Sequence, residues 1–375
     1  MYVLYISRAD DRLSTLVCTV KGVTSQQRSL PSVSMVISMS GAPNPQGSSS
    51  LTTQVYANGD KYDGEFDRNG QRHGRGTFTW ATGDRYIGEF QHGKKHGQGT
   101  FAQTDGSSYE GEWQEDVMNG HGTFIFDNGD TYEGQWVDNQ VDGNGKWQYS
   151  DGSVYQGQFV AGMKSGQGVY TLPTGDRAEG AWAEDELNGV ATMVYRNGNE
   201  YTGEWKQNAK SGKGTLKFTS GAVYEGEFRE DQRCGRGVLT AADGTVYDGE
   251  FKDNKKHGKG KFLFPKSGAT YTGEWVEDKM SGYGVYLFSD KSTYEGSFKD
   301  DRMHGDGKKS WTDGNVYDGQ WENDQRHGKG TFTWKTTTTT YVGEWVLDKR
   351  QGQGKLTLPD GTIQEGRFDS NEFVD

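Results

Sequence analysis

A five-residue motif recurs along the chain at a nearly fixed distance. It reads Tyr-x-Gly-Glu-Trp or a close variant, as in "YDGEF" at 62 and "YEGEW" at 109. Successive copies lie 23 residues apart, or 24 at three places. Thirteen copies continue into Gly-x-Gly, with a departure at Gly189-Val190-Ala191. Such a period predicts a row of small stacked units, each of which buries its apolar side chains against its neighbours. The fourteen copies begin at 62, 86, 109, 132, 155, 178, 201, 224, 247, 271, 294, 317, 341 and 364.

Each unit reads as two short β-strands. In the first strand, Tyr62, Gly64 and Phe66 share one face because strand side chains alternate with period two. The alternation resumes after the Gly-x-Gly, where Phe78 and Trp80 share a face. The central glycine leaves room for the rings of neighbouring strands to lie over the backbone. We therefore predict an all-β fold: an elongated, single-layer antiparallel sheet, or solenoid, of about 14 hairpins.

The same reading assigns the connections between the strands. A loop of six or seven residues such as "DRNGQRH" is predicted to join the two strands of one unit. The Asn-Gly and Asp-Gly pairs, such as Asn128-Gly129, are predicted to form tight turns between units, since these pairs are the strongest short hairpin signal.

Composition and charge exclude several classes of protein. The chain holds 57 glycines and 13% aromatic residues, but its hydrophobic fraction is only 31%, which argues against a thick helical or α/β core. Its net charge of −12 is unfavourable for binding nucleic acid. Two cysteines, Cys18 and Cys234, cannot form a disulfide framework, so a reduced, cytoplasmic compartment is expected. The apolar runs are too short for a membrane helix.

The chain divides into two parts on composition. Residues 1–51 are predicted to be a disordered or linker-like segment, because "SGAPNPQGSSS" is typical of a linker. The sequence "MSGAPNPQ" at Met39 resembles a natural chain start, so residues 1–38 are a candidate gene-model extension. Residues 52–375 are predicted to form the repeat array.

The pattern "YxGEWxxxxxxGxGxxxxxxG" resembles the MORN (membrane occupation and recognition nexus) repeat over about 85% of the chain. The resemblance implies stacked β-hairpins without catalytic activity, acting as a cytoplasmic scaffold at the cytoskeleton, flagella, basal bodies or membrane-associated structures. It also implies protein partners, including a helix or peptide held in an aromatic groove, and homodimers. Two alternatives stay open: a phosphoinositide-binding membrane adaptor, and a regulatory partner of a lipid kinase or methyltransferase encoded elsewhere.

Two units depart from the pattern. The unit at 178 has Ala178 in place of Tyr and Ala191 in place of Gly, so a local irregularity is expected there. The unit at 364 starts with Gln364 and is expected to act as a cap.

Two sets of residues are candidate contact sites. A single sheet has no second layer to cover its aromatic face, and an exposed apolar face usually marks a binding site. The representative partner-binding candidates are Tyr109, Trp113, Tyr132, Trp136, Tyr201, Trp205, Tyr271 and Trp275. The candidates for lipid contact are Lys94, Lys95, Lys255 and Lys256, from the basic segments "HGKKHGQG" and "DNKKHGKGK".

No catalytic residue, metal or cofactor is predicted. His73 and His96 occupy equivalent places in adjacent units, which sheet geometry separates by about 9.5 Å, too far for one zinc ion; His304 and His327 form a similar pair. The row that begins with Glu65 and Glu89 forms a solvated ladder, whereas a catalytic pair needs two different environments. The Gly-x-Gly segments lack the helix N-terminus of a phosphate-binding loop.

Overall fold

The computed structural model describes residues 52–374 and, nearer the N-terminus, the backbone of two short strands. These strands, β1 (Val3–Ile6) and β2 (Leu16–Thr19), pair antiparallel. The predictions for the rest of residues 1–51, a linker-like segment and a gene-model extension, lie outside the described residues. Throughout residues 52–374 the regular structure is β-strand, which confirms the predicted all-β class.

The chain forms two compact units, and each is a run of strands that pair antiparallel with the next strand in sequence. The first unit ends at Arg196 and includes Trp205–Asn208; the second comprises Asn197–Glu204 and Ala209–Asp375. The strands of the first unit are β3 (Thr52–Val55), β4 (Lys61–Phe66), β5 (Arg72–Thr79), β6 (Arg85–Gln91), β7 (Lys94–Ala102), β8 (Ser108–Gln114), β9 (Val117–Ile125), β10 (Thr131–Val137), β11 (Gln140–Gln148), β12 (Val154–Val160), β13 (Met163–Thr171), β14 (Arg177–Ala183) and β15 (Glu186–Val194).

Strand β16 (Glu200–Lys206) has residues in both units. The strands of the second unit are β17 (Ala209–Lys217), β18 (Val223–Arg229), β19 (Gln232–Thr240), β20 (Val246–Lys252), β21 (Lys255–Phe264), β22 (Ala269–Val276), β23 (Lys279–Leu287), β24 (Thr293–Lys299), β25 (Arg302–Ser310), β26 (Val316–Glu322), β27 (Gln325–Trp334), β28 (Thr339–Val346), β29 (Lys349–Thr357), β30 (Ile363–Asp369) and β31 (Glu372–Phe373).

From the second repeat onward the two strands of a repeat are joined by a two-residue turn, and in the first repeat residues 67–71 separate β4 from β5, so the predicted loop of six or seven residues is wrong. In the third repeat the turn is Glu115–Asp116, and both residues have positive φ, at 53° and 73°. This is the geometry of a type I′ turn, whose twist matches that of the flanking strands. Because the turn is so short, the second strand already begins at Val117 and includes the whole Gly-x-Gly.

The connections between repeats are longer than predicted. After β5, the Trp80 amide donates to the Asp84 carbonyl at 2.9 Å, and the Gly83 amide donates to the Trp80 carbonyl at 2.9 Å. This is a three-residue loop in which Gly83, at φ 96°, occupies the left-handed position. The glycine of each predicted Asn-Gly or Asp-Gly turn therefore closes a slightly wider loop.

The tyrosine and the second glycine of Gly-x-Gly pack against each other. The Tyr109 ring lies against Gly111 and Gly122, where a Cβ would overlap the ring. Its hydroxyl donates to the Glu112 carbonyl at 3.0 Å. The ring also meets Trp113 edge-on, at a centroid distance of 5.2 Å. Twelve tyrosines repeat this arrangement and are almost completely inaccessible to solvent. The prediction that the glycines make room for rings is confirmed.

The first glycine of Gly-x-Gly belongs to a β-bulge. The register of β8 and β9 shifts after the pair Gly111–Gly122, and Gly120 has φ 103°. The Glu112 carboxylate packs over Gly120 and accepts a hydrogen bond from the His121 amide at 3.0 Å. The glutamate row is therefore solvent-facing, as predicted, but it also stabilises the bulge. The side chains that make this bond are Glu65, Glu112, Gln135, Gln158, Glu204, Glu227, Glu250 and Gln320.

The unit at 178 keeps the backbone of the others. Ala178 lies opposite Met193, and Gly180 lies opposite Ala191, with the register shift in its usual place. Both alanines are buried. The expected irregularity is therefore confined to the side chains.

Candidate functional site

In most of the two-residue turns, the side chain at the second position connects one repeat to the preceding one. The Lys95 amide donates to Asp116 Oδ1 at 2.7 Å, while the Asp116 amide donates to the Lys95 carbonyl at 3.1 Å. We call this two-bond contact the turn clamp. Its side-chain acceptors are Asp116, Asn139, Asp185, Asn208, Asp231, Asn254, Asp278, Asp301, Asp324, Asp348 and Asn371.

Two junctions have only half of the turn clamp. At Gly93 and at Gly162 the turn still donates its amide, to the carbonyls of Arg72 and Val141, at 2.9 Å and 2.8 Å. Glycine has no side chain to accept a hydrogen bond in return. These two turns begin with His92 and Ala161 instead of the usual acidic or amide residue. The sequence analysis missed the turn clamp, although the recurrence of Asp or Asn at this place is a signal that could have revealed it.

The residue held by the turn clamp covers the aromatic rings. Lys95 places its Nζ 3.7 Å from the centroid of Trp113 and 4.9 Å from that of Phe101. Burial lowers the pKa of this ammonium to about 8, although the Asp116 carboxylate opposes the shift. Lys164 is almost fully buried in the equivalent place, with Asp185 Oδ1 3.7 Å away. Lysine and arginine at this position therefore serve as lids on the core through cation–π contacts.

The eight aromatic candidates all lie in the core. Tyr109, Tyr132, Tyr201 and Tyr271 have no exposed surface, and Trp113, Trp136, Trp205 and Trp275 are 3–5% exposed. Neighbouring rings and the lid side chains cover this face within the chain. Contact between these rings and a partner stays a prediction, and it now requires the lids to move first.

The four basic candidates fall into two pairs with different environments. Lys94 and Lys255 are half exposed and form ion pairs with Glu115 and Glu277, at 2.6 Å and 3.3 Å. Lys95 and Lys256 point the other way, over tryptophan rings. Burial also lowers the pKa of Lys256. Lipid contact through these residues remains untested, but the first pair is the more exposed one, and each of its members has an acidic neighbour.

The accessible surface of the strands is the face opposite the tyrosines. At the start of the first unit this face forms an open groove of about 650 Å³, lined by Thr53, Arg75, Thr77, Ile87 and Glu89 among others. Large apolar side chains also stand exposed on outward positions, including Ile87, Tyr283 and Val342. The sequence analysis interpreted the outward row of Glu65 and Glu89 as a solvated face and assigned it no binding role.

The structure brings histidines together in a way that the sequence did not predict. His73 lies beside His92, with ring centroids 5.8 Å apart, rather than beside His96. Asp67 lies next to both, and the three side chains can place one ligand atom each within 4.8 Å of the others. Among residues 52–374 this is the single group of three potential metal ligands.

The comparison with solved structures gives matches of low similarity. The TCP domain of SAS-4 (dCPAP) of Drosophila melanogaster, in complex with a proline-rich motif of Ana2 (dSTIL), is 13% identical and has a TM-score of 0.29. That match covers 46% of this chain and 94% of the SAS-4 chain. A mutant TCP10 domain of Danio rerio CPAP is 11% identical over 84% of this chain and 99% of its own, with a TM-score of 0.10. Values this low support no conclusion about function.

The family comparison is specific. No curated protein matches the chain. Across the described residues no helix could cross a membrane. The model of the MORN repeat matches thirteen times, at 62–85, 86–108, 109–131, 132–154, 155–177, 179–200, 201–223, 224–246, 247–268, 271–293, 294–316, 317–339 and 341–363. These matches span most of the chain and coincide with the hairpins, the bulges and the tyrosine–glycine packing described above. The chain therefore belongs to the MORN repeat family.

Proposed function

We propose that this protein is a non-enzymatic scaffold that binds other proteins through the outward face of its strands. The observation that supports the proposal is that the recurring and the variable residues of a repeat have different roles. The recurring residues are used internally: tyrosine on glycine, glutamate on the bulge, and aspartate or asparagine in the turn clamp. The outward positions vary, so successive repeats present different side chains on one regular frame.

The absence of catalysis follows as part of the proposal. The carboxylates that recur in the motif share nearly the same environment, in which a backbone amide donates to each. An acid–base pair requires two carboxylates whose surroundings move their pKa values apart. Repetition of one environment supports a structural role for these groups.

The groove at the start of the first unit is the contact site that we propose for a protein partner. It combines an apolar side chain, Ile87, with the charged side chains of Arg75 and Glu89 around glycine backbone. Such a mixture of a small apolar centre and polar surroundings is typical of non-obligate protein interfaces. We further propose, from the family alone, that the scaffold acts in the cytoplasm at cytoskeletal or membrane-associated structures.

The test is proximity labelling in the native cell with two matched variants. Ile87→Lys changes the groove, and Val342→Lys makes the same change at the equivalent motif position of a distant repeat, where the side chain is equally exposed. We expect Ile87→Lys to lose labelled partners that Val342→Lys retains, with unchanged circular dichroism for both. Identical partner sets would exclude the groove, and a chain that labels no reproducible partner would contradict the scaffold itself.

A further inference from the structure

Three potential metal ligands converge at the junction between the first and second repeats. His92 Nδ1 lies 3.8 Å from Asp67 Oδ2. His73 completes the group, in which all three ligand atoms lie within 4.8 Å of one another. Ligands of a tetrahedral zinc ion lie about 3.3 Å apart when the metal–ligand bonds are 2.0–2.1 Å. Small side-chain rotations would therefore bring the group to zinc geometry.

Two hydrogen bonds between Arg72 and Gly93 hold the two histidines next to each other. The Gly93 amide donates to the Arg72 carbonyl at 2.9 Å, and Arg72 Nη2 donates to the Gly93 carbonyl at 2.5 Å. Arg72 precedes His73 and Gly93 follows His92. These two bonds therefore hold the backbone of the two histidines close together. The His92 side chain is 67% exposed, so it is free to adjust its orientation.

The loop between β4 and β5 orients the Asp67 carboxylate. Asp67 Oδ1 accepts hydrogen bonds from the amides of Asn69 and Gln71, both at 2.8 Å. These bonds fix one carboxylate oxygen and leave Oδ2 directed at His92.

The chemistry of the three ligand side chains favours zinc. Two imidazoles and one carboxylate are nitrogen and oxygen ligands that suit Zn²⁺, with water in the fourth position. Buried His73 Nδ1 has no hydrogen-bond partner, but the same is true of His96, His304 and His327. The unpaired nitrogen therefore recurs as a property of the repeat, and it is the convergence with His92 and Asp67 that distinguishes this junction.

We propose that Asp67, His73 and His92 bind one Zn²⁺ ion that joins the first repeat to the second. This junction is one of the two where glycine deprives the turn clamp of its side-chain acceptor. The other, at Ala161–Gly162, has no histidine. At the first junction the metal would connect the two repeats, as Asp116 and the equivalent side chains do at other junctions.

The experiment is calorimetric titration of the full-length, untagged protein with ZnCl₂. We expect one saturable site in the wild type and a rise in Tm on addition of Zn²⁺. His92→Gln alters an exposed side chain, and Asp67→Asn keeps an oxygen that can accept the loop hydrogen bonds, so both variants should fold. Each should weaken binding at least tenfold, the loss typical even of supporting residues. His96→Gln is the matched control, since this histidine has the same place in the next repeat but lies outside the group.

The proposal fails if the wild type shows no saturable binding, or if His92→Gln and Asp67→Asn bind as the wild type does. It also fails if His96→Gln loses binding to the same extent. Circular dichroism of each variant confirms that the comparison is made between folded proteins. None of these outcomes bears on the scaffold function, which depends on other residues, those of the groove around Arg75, Ile87 and Glu89.

Discussion

The repeat at 132 and the repeat at 178 have the same backbone but different interiors. In the first, the Tyr132 ring lies over Gly134 and Gly145, and its hydroxyl donates to the Gln135 carbonyl at 3.0 Å. In the second, Ala178 and Ala191 take the places of the tyrosine and of the second glycine. Strand pairing and the register shift are equivalent in both repeats.

The difference shows that tyrosine and glycine form one coupled feature. Where the ring is absent, the position beneath it accepts a methyl group, and Ala191 is buried there. The hairpin itself depends on the turn and on the bulge, which both repeats retain. The glycine is therefore required by the ring and not by the strand.

The largest difference in stability between the repeats with a buried tyrosine and the repeat at 178 is expected at alkaline pH. Burial raises the pKa of Tyr62 and of Tyr109 to about 12, above the ordinary tyrosine value of 10.0. Above pH 10 the unfolded state binds fewer protons than the folded state, so the stability present below pH 10 is lost as the pH rises. Cooperative unfolding should accompany tyrosinate absorbance; absorbance that rises near pH 10 while circular dichroism stays constant would contradict the burial.

Removal of one buried tyrosine ring should lower the stability as much as other large truncations in a protein core do. Tyr132→Ala gives this repeat the side chain found at 178 but leaves Gly145 beneath an empty space. We expect the free energy of unfolding to fall by about 3–5 kcal/mol. Urea denaturation measures the loss, and hydrogen exchange should locate it in the strands around Tyr132. A loss below about 1 kcal/mol would show that the neighbouring rings can collapse into the space.

The glycine beneath the ring gives the next largest effect. Gly145→Ala should destabilise the protein by about 1–3 kcal/mol because its Cβ overlaps the Tyr132 ring. The same change in a Tyr132→Ala background reproduces the interior of the repeat at 178 and should cost less. A double-mutant cycle measures the coupling, for which we expect about 0.5–3 kcal/mol. Additive effects would mean that the glycine is needed for the strand itself.

Changes to the turn clamp are expected to have the smallest effect on stability. One variant removes a hydrogen bond of the turn clamp, and another adds one. Asn139 Oδ1 accepts from the Met118 amide at 2.8 Å, and Asn139→Gly should cost about 1 kcal/mol. The reciprocal change, Gly162→Asn, enters open space at a φ of 82° that asparagine tolerates, and should raise Tm. Thermal denaturation checks both variants; opposite signs are expected, and equal signs would remove the turn clamp as a stabilising contact.

The sequence predicted the parts of the fold that depend on alternation. Tyr62, Gly64 and Phe66 fall on one face because strand geometry dictates it, and repetition over fourteen copies made the pattern unambiguous. The connections were predicted less well. Pairs such as Glu115–Asp116 contain no glycine, and positive φ at two successive non-glycine residues is too uncommon to infer from residue type.

The candidate sites stay predictions, but the surroundings of their residues were misjudged for a related reason. With the turn misplaced, Lys94 and Lys95 were both assigned to a loop, whereas they are the first two residues of β7 and point to opposite faces. His92 likewise lies in the turn, beside the previous repeat, and its proximity to His73 depends on a contact between repeats. Sequence distance within one repeat does not reveal such neighbours.

The turn clamp also gives the array a direction. Each acceptor follows its donor by about one repeat, as Asp116 follows Lys95, so every repeat is completed by the one after it. During translation the N-terminal repeats leave the ribosome first, and each can close only when the next turn has emerged. The chain can therefore fold vectorially, with one unfinished hairpin at the growing end, and avoids the long-range pairing that makes many β-proteins slow to fold.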